Sequence, residues 1–445
     1  MKRISWISRI LIISLLMISL DIGAEQNPVH PKNNPEDAQQ KELANVVKLI
    51  KEYLKSTTDE ERSKVAMELD KINVIPPLTT ISSAIKGTIT YPKFAPIKRY
   101  TRKIKVNDVE VSYELSLPAD YSPQKESPLV ISLHGAGGDG VNGLHIWRIP
   151  PEDQESDKEA YIKRLKDAGQ TPPPKDKLVI ASPIGTNQYI IAAPTAIGSS
   201  DLILPLLEDV ISQCNVDTNR VYLSGFSAGG GFTFLGIMAQ PDYFAGAVLM
   251  SSVNTNQDFL GNLLNLPLYI IHGEKDEGLI EPIRAIYQIL KDLKYDVTYR
   301  EIKGLGHQMP PSSSDEKTKL LTWLNYRTRN SFPKRIVYKP LDRTMPIRRI
   351  YWLEIPGSSA NIEAEVSDNK INIKSEGLKK VTILLSPNMV DFNKEIVVSI
   401  NEREVFKGKV NQSLKFLLDD YLKHKDSKRL FTAKIDLDLS DSKNK

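Results

Sequence analysis

Three side chains suited to acyl-transfer chemistry stand beside glycines in this chain: Ser227, Asp276 and His307. A serine hydroxyl is a weak nucleophile. It attacks a carbonyl only when an imidazole takes its proton, and a carboxylate must fix that imidazole's tautomer. Ser227 lies in Gly225-Phe226-Ser227-Ala228-Gly229. The apolar run Arg220-Val221-Tyr222-Leu223 precedes it and a helix-like stretch from Gly230 to Leu235 follows. This is the G-x-S-x-G elbow in its strand–turn–helix context. The turn is sharp, and side chains two residues either side of the serine would collide with neighbouring elements. The glycines relieve that, and the helix N-terminus favours negative charge at the hydroxyl.

The chain holds six histidines. His30 falls in a polar linker and His424 in the C-terminal region. His134 and His272 close apolar strands and brace loops. His145 lies in a loop on the oxyanion side, within reach of substrate. His307, in Gly304-Leu305-Gly306-His307-Gln308, follows the strand Val297 to Ile302 and precedes a helix from Ser313 to Asn325. It is the expected base. His272-Gly273-Glu274-Lys275-Asp276 ends the strand Leu268 to Ile271, and Asp276 is the expected acid, with Glu274 and Glu277 as alternatives. The run His134-Gly135-Ala136-Gly137-Gly138-Asp139-Gly140 ends the strand Leu129 to Leu133. Backbone N–H groups there can face an oxyanion, so Ala136 and Ala228 are the expected donors. A phosphate loop is disfavoured, because neither Lys-Ser nor Lys-Thr follows the glycines.

Other chemistries are less well represented. The single cysteine, Cys214, reads as a buried small apolar residue at a helix end. No His/Cys cluster has metal-ligand spacing, so neither metal nor cofactor is expected. Lysine and arginine number 59 against 55 acidic residues, a formal charge of only +4. No basic stripe marks a nucleic-acid binder.

Four segments position these residues. Residues 1–24 read as a signal peptide. Lys2, Arg3 and Arg9 precede the apolar run Ile10 to Leu20, and cleavage is expected after Ala24. An uncleaved anchor is the alternative, but the run is shorter than the roughly 20 residues a span needs. No later segment is apolar enough to cross a membrane. Residues 25–95 combine a polar linker, to about residue 40, with a helical hairpin. Leu43, Val46, Val47, Ile50 and Leu54 carry the first helix, and a capping box at Thr58 and Glu61 opens the second. Pro76-Pro77 ends it. The hairpin either packs on the main domain or acts as a pro-segment.

Residues 96–330 alternate strands and helices. Ile104 to Val106 and Val109 to Tyr113 flank Asn107-Asp108 as an antiparallel pair. Continuous apolar runs follow at Leu129 to Leu133, Leu178 to Ala181, Val221 to Leu223, Ala247 to Met250 and Leu268 to Ile271. Such runs suit a doubly wound, mostly parallel sheet covered on both faces. The proline-bounded excursion Pro150 to Lys177 is either a rim element or a solvated loop. Residues 331–445 carry short alternating strands and read as an all-β domain, with Trp352 in its core or exposed as a carbohydrate platform. Trp147, Tyr189 and Phe226 line a substrate pocket or fill the core.

The run from Leu206 to Asp217, with Asn219 to Gly230, resembles secreted esterases of the α/β-hydrolase superfamily. These are the polyhydroxybutyrate-depolymerase, feruloyl-esterase and phospholipase/carboxylesterase-like enzymes. Gly306-His307 and His272-Gly273…Asp276 are also similar to dienelactone-hydrolase and prolyl-oligopeptidase catalytic domains. The resemblance covers residues 100 to 330. It implies an α/β-hydrolase fold, a Ser–Asp–His set in that chain order, an acyl-enzyme, and a small-molecule or polymer-borne ester as substrate. Contact with carbohydrate through the C-terminal domain is a further expectation. A prolyl-oligopeptidase-like peptidase and a non-catalytic binding protein are the rival readings. The chain lacks the propeller of the former.

Overall fold

The computed structural model describes residues 35–439 except 73, 95–98, 107, 119, 148–189, 196–199, 255, 311–313, 342–348 and 356–359. The expected signal peptide, the strand Leu178 to Ala181, the excursion Pro150 to Lys177 and Tyr189 all lie outside the described residues. Met1–Asn45 group separately from Val46–Lys445, which form one compact unit. The described part of the first group is the start of helix α1 (Pro35–Lys55), so the expected linker already turns helical at Pro35. Proline suits the first helical position because its missing N–H has no partner there in any helix.

Strands β1 (Arg99–Val106), β2 (Val109–Ser116), β3 (Ser127–Leu133), β4 (Ile190–Pro194), β5 (Val216–Phe226), β6 (Gly246–Met250), β7 (Leu268–Gly273) and β8 (Val297–Ile302) form one sheet. Their spatial order is β1-β2-β4-β3-β5-β6-β7-β8. β1, β2 and β4 run antiparallel to their neighbours in that trio, and β4-β3-β5-β6-β7-β8 are parallel. The continuous apolar strands serve two cores. Leu129, Ile131, Leu223, Leu249 and Ile270 face one, shared with helices α5 (Ile203–Gln213), α6 (Ala228–Ala239) and α7 (Ile280–Asp292). Val130, Tyr222, Val248 and Ile271 face the other, shared with α4 (Gly140–Trp147) and α8 (Ser314–Asn325). Side chains alternate across a strand, so a sheet buried on both faces needs no polar positions.

Helices α2 (Asp59–Leu69) and α3 (Leu78–Lys86) follow α1. Thr58 accepts the Glu61 N–H at 3.2 Å, while the Glu61 carboxylate returns to the N–H of Thr57 at 3.1 Å, one residue before the box position. α2 ends at Leu69, well before the prolines expected to stop it, and α3 starts directly after Pro76-Pro77. Ile50 and Tyr53 of α1, Leu69 and Ile85 share a core with Leu417 and Leu418 of helix α9 (Leu414–His424), and the Tyr53 hydroxyl donates to Asp419. The hairpin is therefore packed against the C-terminal region.

That region holds two sheets. Its strands are β9 (Arg335–Tyr338), β10 (Arg349–Ile350), β11 (Leu353–Glu354), β12 (Ile362–Ser367), β13 (Lys370–Ser375), β14 (Lys380–Leu385), β15 (Ile396–Ile400), β16 (Arg403–Gly408) and β17 (Ala433–Asp438). One sheet has the order β10-β11-β14-β17 and the other β16-β15-β13-β12-β9. The second contains the turn at Asn401-Glu402 that joins β15 (Ile396–Ile400) to β16 (Arg403–Gly408). Both turn residues have positive φ, 50° and 69°, which matches the turn's twist to the strands. The expected all-β region thus gains one helix, α9, capped by Ser413 and carrying Leu414, Leu417, Leu418 and Tyr421 on its buried face. Trp352 is wholly buried and donates to the Pro333 carbonyl at 2.8 Å, which excludes the platform reading. Among the described residues, no helix is long and apolar enough to cross a membrane.

Candidate active site

The strand order reverses between β4-β3 and β5, where the carboxyl ends of β3 and β5 lie side by side, with Leu133 paired to Gly225. Crevices at such switch points hold ligands in open α/β sheets. Register carries the same edge across the sheet, pairing Phe226 with Met250, Met250 with Ile271, and Gly273 with Ile302. The turns after β3, β5, β7 and β8 therefore meet, and they carry Ala136, Ser227, Asp276 and His307.

Ser227 has φ 54° and ψ −120°, outside the regions an L-residue prefers. Such strain costs about 1–3 kcal/mol and persists only where its surroundings impose it. They do so here. The Ser227 N–H donates to the Met250 carbonyl at 2.9 Å, and the backbone passes too close for side chains on either flank. A Cβ at Gly225 would stand 2.2 Å from the Gly229 carbonyl oxygen, and one at Gly229 would stand 2.4 Å from the Leu133 and His134 oxygens. Gly229→Ala is therefore expected to disrupt the turn. Any turnover that depends on Ser227 should fall by about a hundredfold or more while far-UV circular dichroism stays near wild type, because the collision is confined to the elbow.

The Ser227 hydroxyl lies 2.8 Å from His307 Nε2. His307 Nδ1 lies 3.0 and 3.1 Å from the two oxygens of Asp276. The Asp276 side chain is 1% exposed and that of His307 is 45% exposed. Glu274 and Glu277, the alternative acids, are exposed, and Glu274 accepts the Gly304 N–H at 2.9 Å. That bond ties the Asp276 turn to the His307 turn, as does the Lys275 N–H to the Leu305 carbonyl at 2.8 Å.

In the turn after β3, the Gly135 carbonyl accepts from Gly138 N–H at 3.1 Å and from His134 Nδ1 at 2.8 Å. A trans peptide points its N–H opposite to its carbonyl. Pinning the Gly135 oxygen therefore aims the Ala136 N–H the other way. The turn abuts the elbow, since a Cβ at Gly135 would come 3.5 Å from Ser227 Cβ. Ala228 is the first residue of α6, and its N–H has no intrahelical acceptor.

The expected pocket residues separate. Phe226 stacks on the His307 ring with centroids 5.6 Å apart, which puts it at the site. His145 sits partly buried on α4, a helix rather than the expected loop. Trp147 is a correction if it is read as a pocket wall. It is 2% exposed, and its indole donates to Ser132 at 3.0 Å and Ser224 at 3.2 Å, between β3 and β5. Cys214 is fully buried, and burial pushes its thiol up to about 12, so it is no nucleophile. Glu354, Asp420 and His424 approach one another within 4.8 Å, the only such group among the described residues. Arg349 already bridges Glu354 and Asp420, and Lys423 stands 3.7 Å from Glu354, so cationic side chains fill the place of an ion.

The strand order, the strained elbow and the helices on both faces define an α/β-hydrolase fold. No family model matches the chain. A curated Arabidopsis thaliana protein named as a SOBER1-like carboxylesterase is 28% identical over 123 residues, 26% of this chain and 45% of that protein. The chain thus matches less than half the length of this relative. Among solved structures, a thermostable esterase is 22% identical with a TM-score of 0.37, over 52% of this chain and 63% of that one. A ferulic acid esterase is 15% identical with a TM-score of 0.36, over 51% and 95%. An acylaminoacyl peptidase of Pyrococcus horikoshii is 14% identical with a TM-score of 0.38, over 53% and 43%. The strand order and elbow, rather than these partial overlaps, carry the fold.

Proposed function

We propose that this chain is an exported serine esterase that cleaves carboxylic esters through an acyl-enzyme. One observation carries the reading: a hydroxyl on a strained turn, 2.8 Å from an imidazole that is itself 3.0 Å from a buried carboxylate. His307 Nε2 takes the proton as Ser227 Oγ attacks the ester carbonyl. The N–H groups of Ala136 and Ala228 receive the oxyanion. His307 then gives its proton to the departing alcohol, and a water repeats the sequence on the acyl-enzyme. Asp276 holds the ring so that Nδ1 carries a proton and stabilises the imidazolium. The basic and apolar start of the chain supports export.

The test is a substrate panel. Short-chain p-nitrophenyl esters should turn over faster than proline-containing peptide amides, and a feruloylated polysaccharide tests the proposed carbohydrate contact. Cleavage of the amides with esters inert would instead make the chain a peptidase. Failure to act on either would leave a binding protein on a hydrolase scaffold.

A further inference from the structure

His272 lies at the end of β7 with no exposed surface, four residues before Asp276. Its Nε2 is 2.8 Å from both the N–H and the carbonyl of Ser252, in the turn after β6. Its Nδ1 is buried without a hydrogen-bond partner and stands 3.5 Å from Asp276 Oδ2. Buried polar atoms seldom go unpaired, and each exception asks for an explanation.

Ser252 offers Nε2 both an N–H donor and a carbonyl acceptor at 2.8 Å, so it accommodates either tautomer, and Asp276 selects between them. A lone pair on Nδ1 would face the Asp276 carboxylate, whereas an Nδ1–H is attracted to it. Burial lowers the ring's proton affinity, opposed by the Ser252 carbonyl beside Nε2 and by the Asp276 charge, so the ring is neutral. Asp276 is then flanked by two N–H groups, those of His307 and His272. No other donor to its carboxylate is present among the described residues.

We infer that His272, as the neutral Nδ1–H tautomer, is a positioning residue that keeps the Asp276 carboxylate turned toward His307. The inference rests on the esterase reading. Its chemistry is electrostatic, and no bond is made or broken at His272. The N–H dipole favours the state in which Asp276 is charged and His307 neutral, because its attraction to the carboxylate is offset once His307 carries a proton. Removing the dipole raises the proton affinity of the Asp276–His307 pair. The acid limb of the pH–rate profile should then move to higher pH. The other charges facing His272 belong to β8 and α7. Glu301 pairs with His272 in register, and Arg284 holds it by bonds of 2.8 and 2.7 Å. Neither changes in the variants below.

The test compares wild type, His272→Leu and His272→Asn, whose amide nitrogen falls near the place of Nδ1. With a p-nitrophenyl ester, His272→Leu should lose about ten- to a hundredfold in kcat, the scale seen when the hydrogen-bond partners that orient metal ligands are removed. KM should change little, and the acid limb should move up. His272→Asn should recover most of kcat and return the limb toward wild type. A Leu variant that loses stability but keeps the wild-type acid limb would overturn the inference. So would two variants equally impaired. Proton–nitrogen correlation of the wild-type histidine rings gives a second reading that needs no turnover. A proton on Nδ1 supports the inference, and one on Nε2 alone contradicts it. Labelling of Ser227 by a fluorophosphonate separates the two levels. If Ser227 labels while His272 proves silent, the esterase reading stands and the positioning role falls.

Discussion

Replacing Ser227 with alanine is expected to lower kcat by about a million-fold, with the fold intact. The magnitude follows from the way the three side chains act together. Without the hydroxyl no acyl-enzyme forms, and His307 and Asp276 then have nothing to activate. What survives is binding and the two oxyanion donors, worth about a thousand- to ten-thousandfold over water. Alanine at 227 must still adopt a φ of 54°, as serine does, so the backbone cost is nearly unchanged. Thermal melting should stay within a few degrees of wild type. Turnover near the wild-type rate would mean that another group attacks the ester.

Replacing Arg429 with alanine is expected to destabilise the protein by about 3–5 kcal/mol. Arg429 is 1% exposed and pairs at 2.6 Å with Asp242, also 1% exposed. It stands 3.5 Å from Asp426, which pairs with Arg329 at 2.8 Å and accepts from Thr218 at 2.9 Å. These four charges join the turn after α6 and the chain after α8 to the chain beyond α9. Removing one guanidinium leaves a carboxylate buried without its partner, which costs far more than the pair contributes. The loss should show as a lower denaturant midpoint. Replacing Arg429 by Met together with Asp242 by Leu should recover much of it. The cluster also sets an acid sensitivity. Burial opposes charge on Asp426, but Arg329 and Arg429 outweigh it and hold the carboxyl well below the usual range. An unfolded aspartate titrates near 3.9. A depressed folded value makes this stabilisation complete above about pH 5 and lost as pH falls below that toward the folded value. Melting temperature should drop over that acid range, and less steeply in Asp426→Asn.

The site was largely legible because its parts are local. A G-x-S-x-G run after an apolar strand specifies a turn that only such spacing satisfies. Ser227, Asp276 and His307 each follow a strand, so a parallel sheet brings them to one edge. The choice of Asp276 over Glu274 and Glu277 agrees with the burial of Asp276 and the exposure of both glutamates. Trp147 was ambiguous because an aromatic side chain suits a core and a pocket wall equally. Only the positions of Ser132 and Ser224, on two different strands, turn its indole inward. The setting of His272 depends on the register of β6 and β7, which no local pattern encodes. Helix α9 was readable from Ser413 and the spacing of Leu414, Leu417 and Leu418, but the surrounding strands masked it. Pro76-Pro77 signals an ending, but α2 already stops at Leu69 and the prolines instead open α3, a use that proline's fixed φ and missing N–H permit at a helix start.

The most direct measurement is the mass of the peptide bearing Ser227 after incubation with a fluorophosphonate. One adduct per chain, on Ser227 alone and lost when His307 is replaced by alanine, is the expected result. A folded protein that stays unmodified, or carries the adduct at another residue, would contradict the acyl-enzyme account.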